Sequence, residues 1–452
     1  MRRGAACAAA THAAMRCAAA KRVMGTCAAA VFAVAMCAWL PDARHANASA
    51  QDAAPRTSST PSAPAELVPP GGIAAASPVA ASGRPPRGPL SRSDPQLWRI
   101  SVSLAINPPD GLGAMAQAFT RNANALLLPI VTTDTWFQAD PSSIATRVLI
   151  DGAPVPAGEA QPLVRLGRSG DGRIEVPLTR PITQTYQADV SWVVQSWECS
   201  VNEGAAAQIG WPAEWPEETR RWLVPEPFIE SDDAGIIAFM QRVSGGRARS
   251  VPPWLAAKDL VRAACGAMRG VDGMTMRTVG NAVEGLAVSG ASATMQRGSG
   301  SPHDLVCLSV AVLRAAGIPA RPVLGLSAPR SGGGRGTGSA TTASELVTWG
   351  EFFLPDAGWV PFDPNMMRGS IPSNATVRQP WRGFAFELDL ERRAPFAHSF
   401  GPEGASSADP FGASRSIRRA PLWSWKVLPH AQDPMNRAWI VLQGTSLGPG
   451  RP

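Results

Sequence analysis

Residues 301–325, SPHDLVCLSVAVLRAAGIPARPVLG, constrain the fold more than any other stretch of the chain. Between Leu305 and Leu313 apolar side chains fall on nearly every side of a helix. Such a helix has no face to offer water and must run through the middle of a domain. The residues before it mark its start. Ser301 can serve as a side-chain N-cap, and Pro302 suits the first helical turn, where no N–H partner is missed. Asp304 stands three residues after the cap, near the positive end of the helix dipole. A turn at Gly317–Pro319 then leads into a strand.

Two further helices are expected upstream. Ser231 can cap one whose first turn carries Asp232 and Asp233 and whose buried side is marked by Ile236, Ile237, Met240 and Val243. A second runs near residues 254–268, with Leu255, Leu260, Val261, Ala264 and Met268 inward. Downstream, ELVTWGEFFL (345–354) and GWVPFD (358–363) read as strands joined at Pro355, Asp356 and Ala357. RSGGGRGTGSATT (330–342) reads as a flexible loop, and from Met366 onward the pattern is irregular.

The texture before Trp211 is different. Trp98, Ile100, Val102, Leu104 and Ile106 alternate with more polar residues, as do Tyr186, Ala188, Val190, Trp192 and Val194. LLLPIVTTDTWFQ (126–138) and ATRVLIDG (145–152) add strands, and Asp171-Gly172 is a hairpin signal. Residues 96–205 are therefore expected to form an all-β domain of sandwich type, joined by a Pro/Trp-rich connector to a domain at 206–452 with its core at about 226–365.

The formal net charge of +7 misleads, because Arg2, Arg3, Arg16, Lys21, Arg22 and Arg44 lie within the first 50 residues against Asp42 alone. The rest has no concentrated basic face, which argues against nucleic acid as a partner. Lys21 and Arg22 precede an uncharged, Ala-rich run, Val23–Leu40, with small residues at 46–50. That pattern predicts a signal for export cut after Ala48 or Ala50 or, if uncut, a membrane anchor. The expected location is the periplasm or cell envelope, with the membrane touched only through this segment. Residues 51–95, rich in Pro, Ala and Ser, are expected to be a disordered tether. Beyond residue 50 there remain Cys199, Cys265 and Cys307, and no metal-ligand spacing occurs. No cofactor and no metal are expected.

VLRAAGIPARPVLG followed by WGEFFLPDAGWVPFDP resembles the bacterial transglutaminase-like family. The stretch at 126–138 resembles an element of the β-domain that often precedes its core. The resemblance implies an α+β, papain-like transglutaminase core preceded by an all-β domain. It also implies a catalytic triad. A cysteine at the N-terminal end of the central helix acts as nucleophile in its thiolate form. A strand histidine moves the proton, and an aspartate on the next strand orients the imidazole. The reaction is acyl transfer from glutamine or hydrolysis of a peptide bond.

Spacing from Gly317 puts the family's cysteine position at Pro302, and spacing from Trp349 puts its histidine position at Val347. The aspartate position is Asp363, which is retained. Positions 347 and 363 share parity across a short turn and can lie on one face of the hairpin. Two of the three reactive groups are thus replaced by residues that suit local structure. The expected protein is a catalytically inactive binding or scaffolding module, with a peptide, a protein or an envelope polymer as partner. The alternative is an active cysteine acyltransferase or protease with a rearranged site. In it Cys307 would be the nucleophile and His303, four residues earlier on the same helix, or His398 the base. Cys307 sits in an apolar run, where a buried structural thiol is the bland reading. The many tryptophans read chiefly as packing residues.

Overall fold

From Trp98 to Leu104 every second side chain is apolar, and a period of two buries them all on one face of β1 (Leu90–Ile106). The computed structural model describes residues 88–106, 125–167, 170–180, 182, 184–271, 276–279, 282–327, 345–371, 375–400, 419–420, 424–425 and 438–450. The export signal or anchor, most of the tether and the loop at 330–342 lie outside the described residues. β1 nonetheless begins within the stretch read as tether. A register shift between Ser93 and Gln96, with Asp94 at φ 47°, carries the pairing past Pro95, which has no N–H to give.

The stretch at 126–138 divides between two sheets. β2 (Ala125–Val131) pairs with β5 (Asp171–Pro177), which pairs in turn with β4 (Leu163–Leu166). β3 (Phe137–Ile150) pairs with β6 (Tyr186–Val201), which lies beside β1. The β4–β5 hairpin does not turn at Asp171-Gly172. Those two residues open β5, and Gly172 already faces Leu166. The preceding Gly170 has the required positive φ of 80°, and a Cβ there would lie 1.9 Å from the Thr133 carbonyl oxygen. The Gly170 carbonyl accepts hydrogen bonds from the Thr132 and Thr133 amides.

The helical half follows the pattern in its sequence closely. α1 (Ala234–Ser244) is capped by Asp233 rather than Ser231, because the Asp233 carboxylate accepts from the Gly235 and Ile236 amides. Its buried residues are Ile236 and Phe239. α2 (Pro253–Ala267) comes next, then β7 (Ala282–Ala287) and α3 (Ala291–Arg297). α4 (Pro302–Ala315) is buried from His303 to Arg314 and packs against all three preceding helices. Each of its fully enclosed Leu and Val side chains contributes about 1.5–3 kcal/mol. Behind α4 lies an antiparallel sheet in the order β10 (Gly358–Phe362), β9 (Glu345–Leu354), β8 (Ala320–Ser327), β11 (Arg393–Ala397). α5 (Pro364–Ser370) follows β10 directly.

The stretch after Met366, irregular to the eye, is structured in part. It supplies most of α5, all of β11, and a long strand, β12 (Ala438–Pro449). β12 pairs along β1 from Gln96 to Ile106, and β7 touches β12 at Val283. The first sheet therefore draws on three separate parts of the chain rather than on 96–205 alone. No helix among the described residues is long and apolar enough to cross a membrane.

Candidate functional site

The start of α4 is tied down by one carboxylate. Ser301 Oγ accepts from the Asp304 amide at 3.2 Å, and Asp304 Oδ2 accepts from the Ser301 amide at 2.9 Å. The other oxygen, Oδ1, accepts from the Ser289 and Gly290 amides at 2.6 and 3.0 Å. Asp304 is buried, not an exposed first-turn residue, and it fastens α4 to the segment leading into α3. A charged group accepting several backbone N–H bonds satisfies donors that would otherwise be orphaned.

Pro302 occupies the first helical position of α4, and its carbonyl accepts from Asn365 Nδ2 at 3.1 Å. Val347 lies on β9 opposite Gly325. Asp363 follows β10 and caps α5: its Oδ1 accepts from the Asn365 and Met366 amides at 3.0 and 3.1 Å. Its Oδ2 accepts from Arg393 Nη2 at 2.8 Å. Val347, Asp363, Asn365, Arg392 and Arg393 all line one cavity of roughly 340 Å³. Of the three positions that spacing assigns to a triad, Val347 and Asp363 line this cavity, and Pro302 is tied by its carbonyl to Asn365, which also lines it. Pro302 and Val347 offer no reactive group, and the aspartate's two oxygens are already engaged.

The other sequence candidates lie apart from that cavity's lining. Cys307 is fully buried, and burial, reinforced by the Asp304 charge, pushes its thiol well above the ordinary range. Such a thiol is a poor source of thiolate. Burial likewise raises Cys265, to about 12, and Cys199 well above its usual value. His303 is buried, with Nδ1 3.0 Å from Thr348 Oγ1 and its ring against Phe400.

His398 belongs to a different cluster, one that sequence spacing did not reveal. Its Nε2 lies 3.2 Å from Asp134 Oδ2. Arg321 Nη2 reaches Asp134 Oδ1 and Glu351 Oε2, each at 2.7 Å, and its guanidinium stacks 3.9 Å from the Trp359 ring. All four titratable groups are buried. Burial, followed by Arg321, pushes His398 below its usual value. Burial and the Asp134 charge push Glu351 up to about 8. Against a burial that opposes it, Arg321 and His398 hold Asp134 well below the carboxylate range. Asp134, Glu351 and His398 bring their ligand atoms within 4.8 Å of one another, as a metal site would. Arg321 already supplies a positive charge there.

These residues come from the segments that carry the resemblance: Asp134 from TTDTWFQ, Arg321 from GIPAR, Glu351 from WGEFF. Arg314, from LRAAGIPAR, donates to the Ala320 and Val224 carbonyls at 2.7 Å and pairs with Glu226 at 2.7 Å. The charged residues of these motifs tie together segments far apart in the sequence. Wholly buried Trp136, Trp192, Trp222, Trp254 and Trp349 do the same by packing. Arg393, the partner of Asp363, carries no signal of its own in the sequence.

Residues 277–364 match the family model of the transglutaminase-like superfamily. That span holds α3, α4, β8, β9, β10 and the first residue of α5. Among solved structures, a candidate cysteine protease from Cytophaga hutchinsonii is 11% identical, with a TM-score of 0.46, over 80% of this chain and 94% of that one. A candidate protease from Parabacteroides distasonis is 12% identical, with a TM-score of 0.20, over 59% of this chain and 65% of that one. No curated protein matches the chain.

Proposed function

We propose, from the premise that residues 277–364 of this chain are a transglutaminase-like domain, that the protein is a non-catalytic relative of the cysteine acyltransferases and binds its ligand where they would act. The observation that carries this reading is the state of Asp363. It is held by Arg393 and by the N-terminus of α5, sharing a cavity with Val347 where an imidazole would be needed, while Pro302 stands at the helix start where a thiol would be needed. Acyl transfer through a thiol requires a thiolate and a base in reach of it. Cys307 is enclosed, and His398 is committed to Asp134, so the rearranged site has no support from either.

The ligand we propose is a peptide or a peptide-bearing polymer of the cell envelope, with the chain exported by its N-terminal segment. Support for export is the basic, then Ala-rich pattern of residues 21–50. Support for binding is the surviving cavity, whose volume lies at the small end of the range for ligand pockets, about 300–1,000 Å³. The sandwich reading of the β half rests on its two sheets sharing buried residues such as Ile100, Trp192, Leu128 and Ile174.

The test is retention without turnover. Full-length protein is immobilised and exposed to a pool of random tripeptides, and the eluted fraction is analysed by mass spectrometry. The expected result is that peptides are retained and recovered intact. Absence of retention overturns the binding reading. Cleaved or deamidated products that vanish in a Cys307→Ser variant would overturn the non-catalytic one.

A further inference from the structure

Arg393 is the first residue of β11, paired with Ser327, and only 5% exposed. Its Nη2 donates to Asp363, but its Nη1 is buried and has no acceptor among the described residues. A guanidinium carries five N–H donors in a fixed fork. A buried donor left unmade is costly enough that such groups in folded proteins are nearly always satisfied. Arg393 also lines the cavity beside Val347 and Asp363. The missing acceptor is therefore one that a ligand in the cavity can bring.

We propose that the cavity takes the free carboxylate of a short peptide, and that Arg393 is the residue that anchors it. This deepens the reading of the cavity as a binding site and rests on it. A carboxylate matches the guanidinium fork better than a single carbonyl oxygen does. Two further guanidinium groups line the same cavity, Arg392 and Arg382, the latter 3.6 Å from Glu387. Asp363 does not fill this role itself. One of its oxygens meets Nη2, and the other is turned to the α5 amides. Glu345 and Asp389 also line the cavity, and neither has an ion-pair partner among the described residues. They leave a place for the ammonium end of a peptide, so the ligand need not be a bare anion.

The experiment compares two pools of random tripeptides on the immobilised full-length protein, one with free carboxylates and one C-terminally amidated. The free-acid pool is expected to be retained at least tenfold more strongly. Arg393→Lys keeps a charge for Asp363 but loses the fork, and is expected to remove most of that preference. Val347→Trp fills the cavity and is expected to abolish retention of both pools, which places the site without disturbing Arg393. Equal retention of the two pools by the unaltered protein overturns the carboxylate proposal while leaving the binding reading standing. Retention of neither pool overturns both. Because the comparison of pools uses the unaltered protein, a misfolded variant cannot rescue the proposal.

Discussion

Asp363 accepts a hydrogen bond from Arg393 Nη2 on Oδ2 at 2.8 Å and from two backbone amides of α5 on Oδ1. An aspartate in this position could orient an imidazole at residue 347 only after being released from its present partners. Pro302→Cys with Val347→His would build a thiol and an imidazole on the cavity. The thiol is expected to stay close to its ordinary pKa while Arg393 holds Asp363. Adding Arg393→Gln is expected to lower it by about 1–2 units, as an oriented, charged imidazole does. The midpoint of alkylation rate against pH reads this directly. A full depression in the double mutant alone would show that Arg393 is no lock, and no coupling in the triple mutant would show that positions 302 and 347 do not meet.

Cys307, Cys199 and Cys265 are all buried and none is in a disulfide. In the native protein an iodoacetamide probe is expected to leave all three unmodified over hours and to label them within minutes in denaturant. Peptide mapping after each treatment distinguishes them. Rapid native labelling of Cys307 would contradict its enclosure in α4.

Glu198 on β6 meets Glu391 in the 3-10 turn at Leu390–Arg392, and its Oε2 accepts from the Leu390 amide at 2.7 Å. Burial and the neighbouring carboxyl push Glu198 up from 4.5 to about 8. A group whose pKa is raised on folding contributes fully below its unfolded value and loses that contribution as pH rises to the folded one. Stability is therefore expected to fall between about pH 4.5 and pH 8. The pair is only half-buried and water screens it, so the loss is about 1–2 kcal/mol rather than the full linkage value. Urea midpoints at pH 5 and pH 9 measure it. Glu198→Gln is expected to flatten this difference, and an unchanged pH dependence in that variant would assign it elsewhere.

Arg321 is the one cation among Asp134, Glu351 and His398. Arg321→Met removes it and leaves Asp134 charged and buried, at an expected cost of about 3–5 kcal/mol in urea unfolding. Pairing Arg321→Met with Asp134→Asn is expected to recover part of that loss, and a strictly additive double mutant would deny the coupling.

Local chemistry was readable and distant placement was not. The capping box at Ser301 and Asp304, the proline at the first turn of α4 and the two strands after residue 345 all depend on near neighbours, and they fold as their pattern predicts. Val347 and Asp363, two positions of equal parity on the hairpin, line one cavity. Asp171-Gly172 misled because the turn chose Gly170, whose positive φ is fixed by contact with Thr133 in another element. The place of Asp304 near the positive end of the helix was legible, whereas the approach of Ser289 and Gly290 that makes it a buried fastener was not. Arg393 had no readable role, since its meaning comes from lying opposite Ser327 and beside Asp363.

β1 lies between β6 and β12, and Ile106 faces Ala438 across that second edge. One neighbour of β1 is made early in synthesis and the other at the far end of the chain. Until β12 emerges from the ribosome, β1 presents a long row of unpaired amides and carbonyls, the kind of edge that templates aggregation. Closing so distant a pair also places the protein among slow folders. A chain folding as it is synthesised must therefore hold β1 and β6 together for most of its length before the second edge can close.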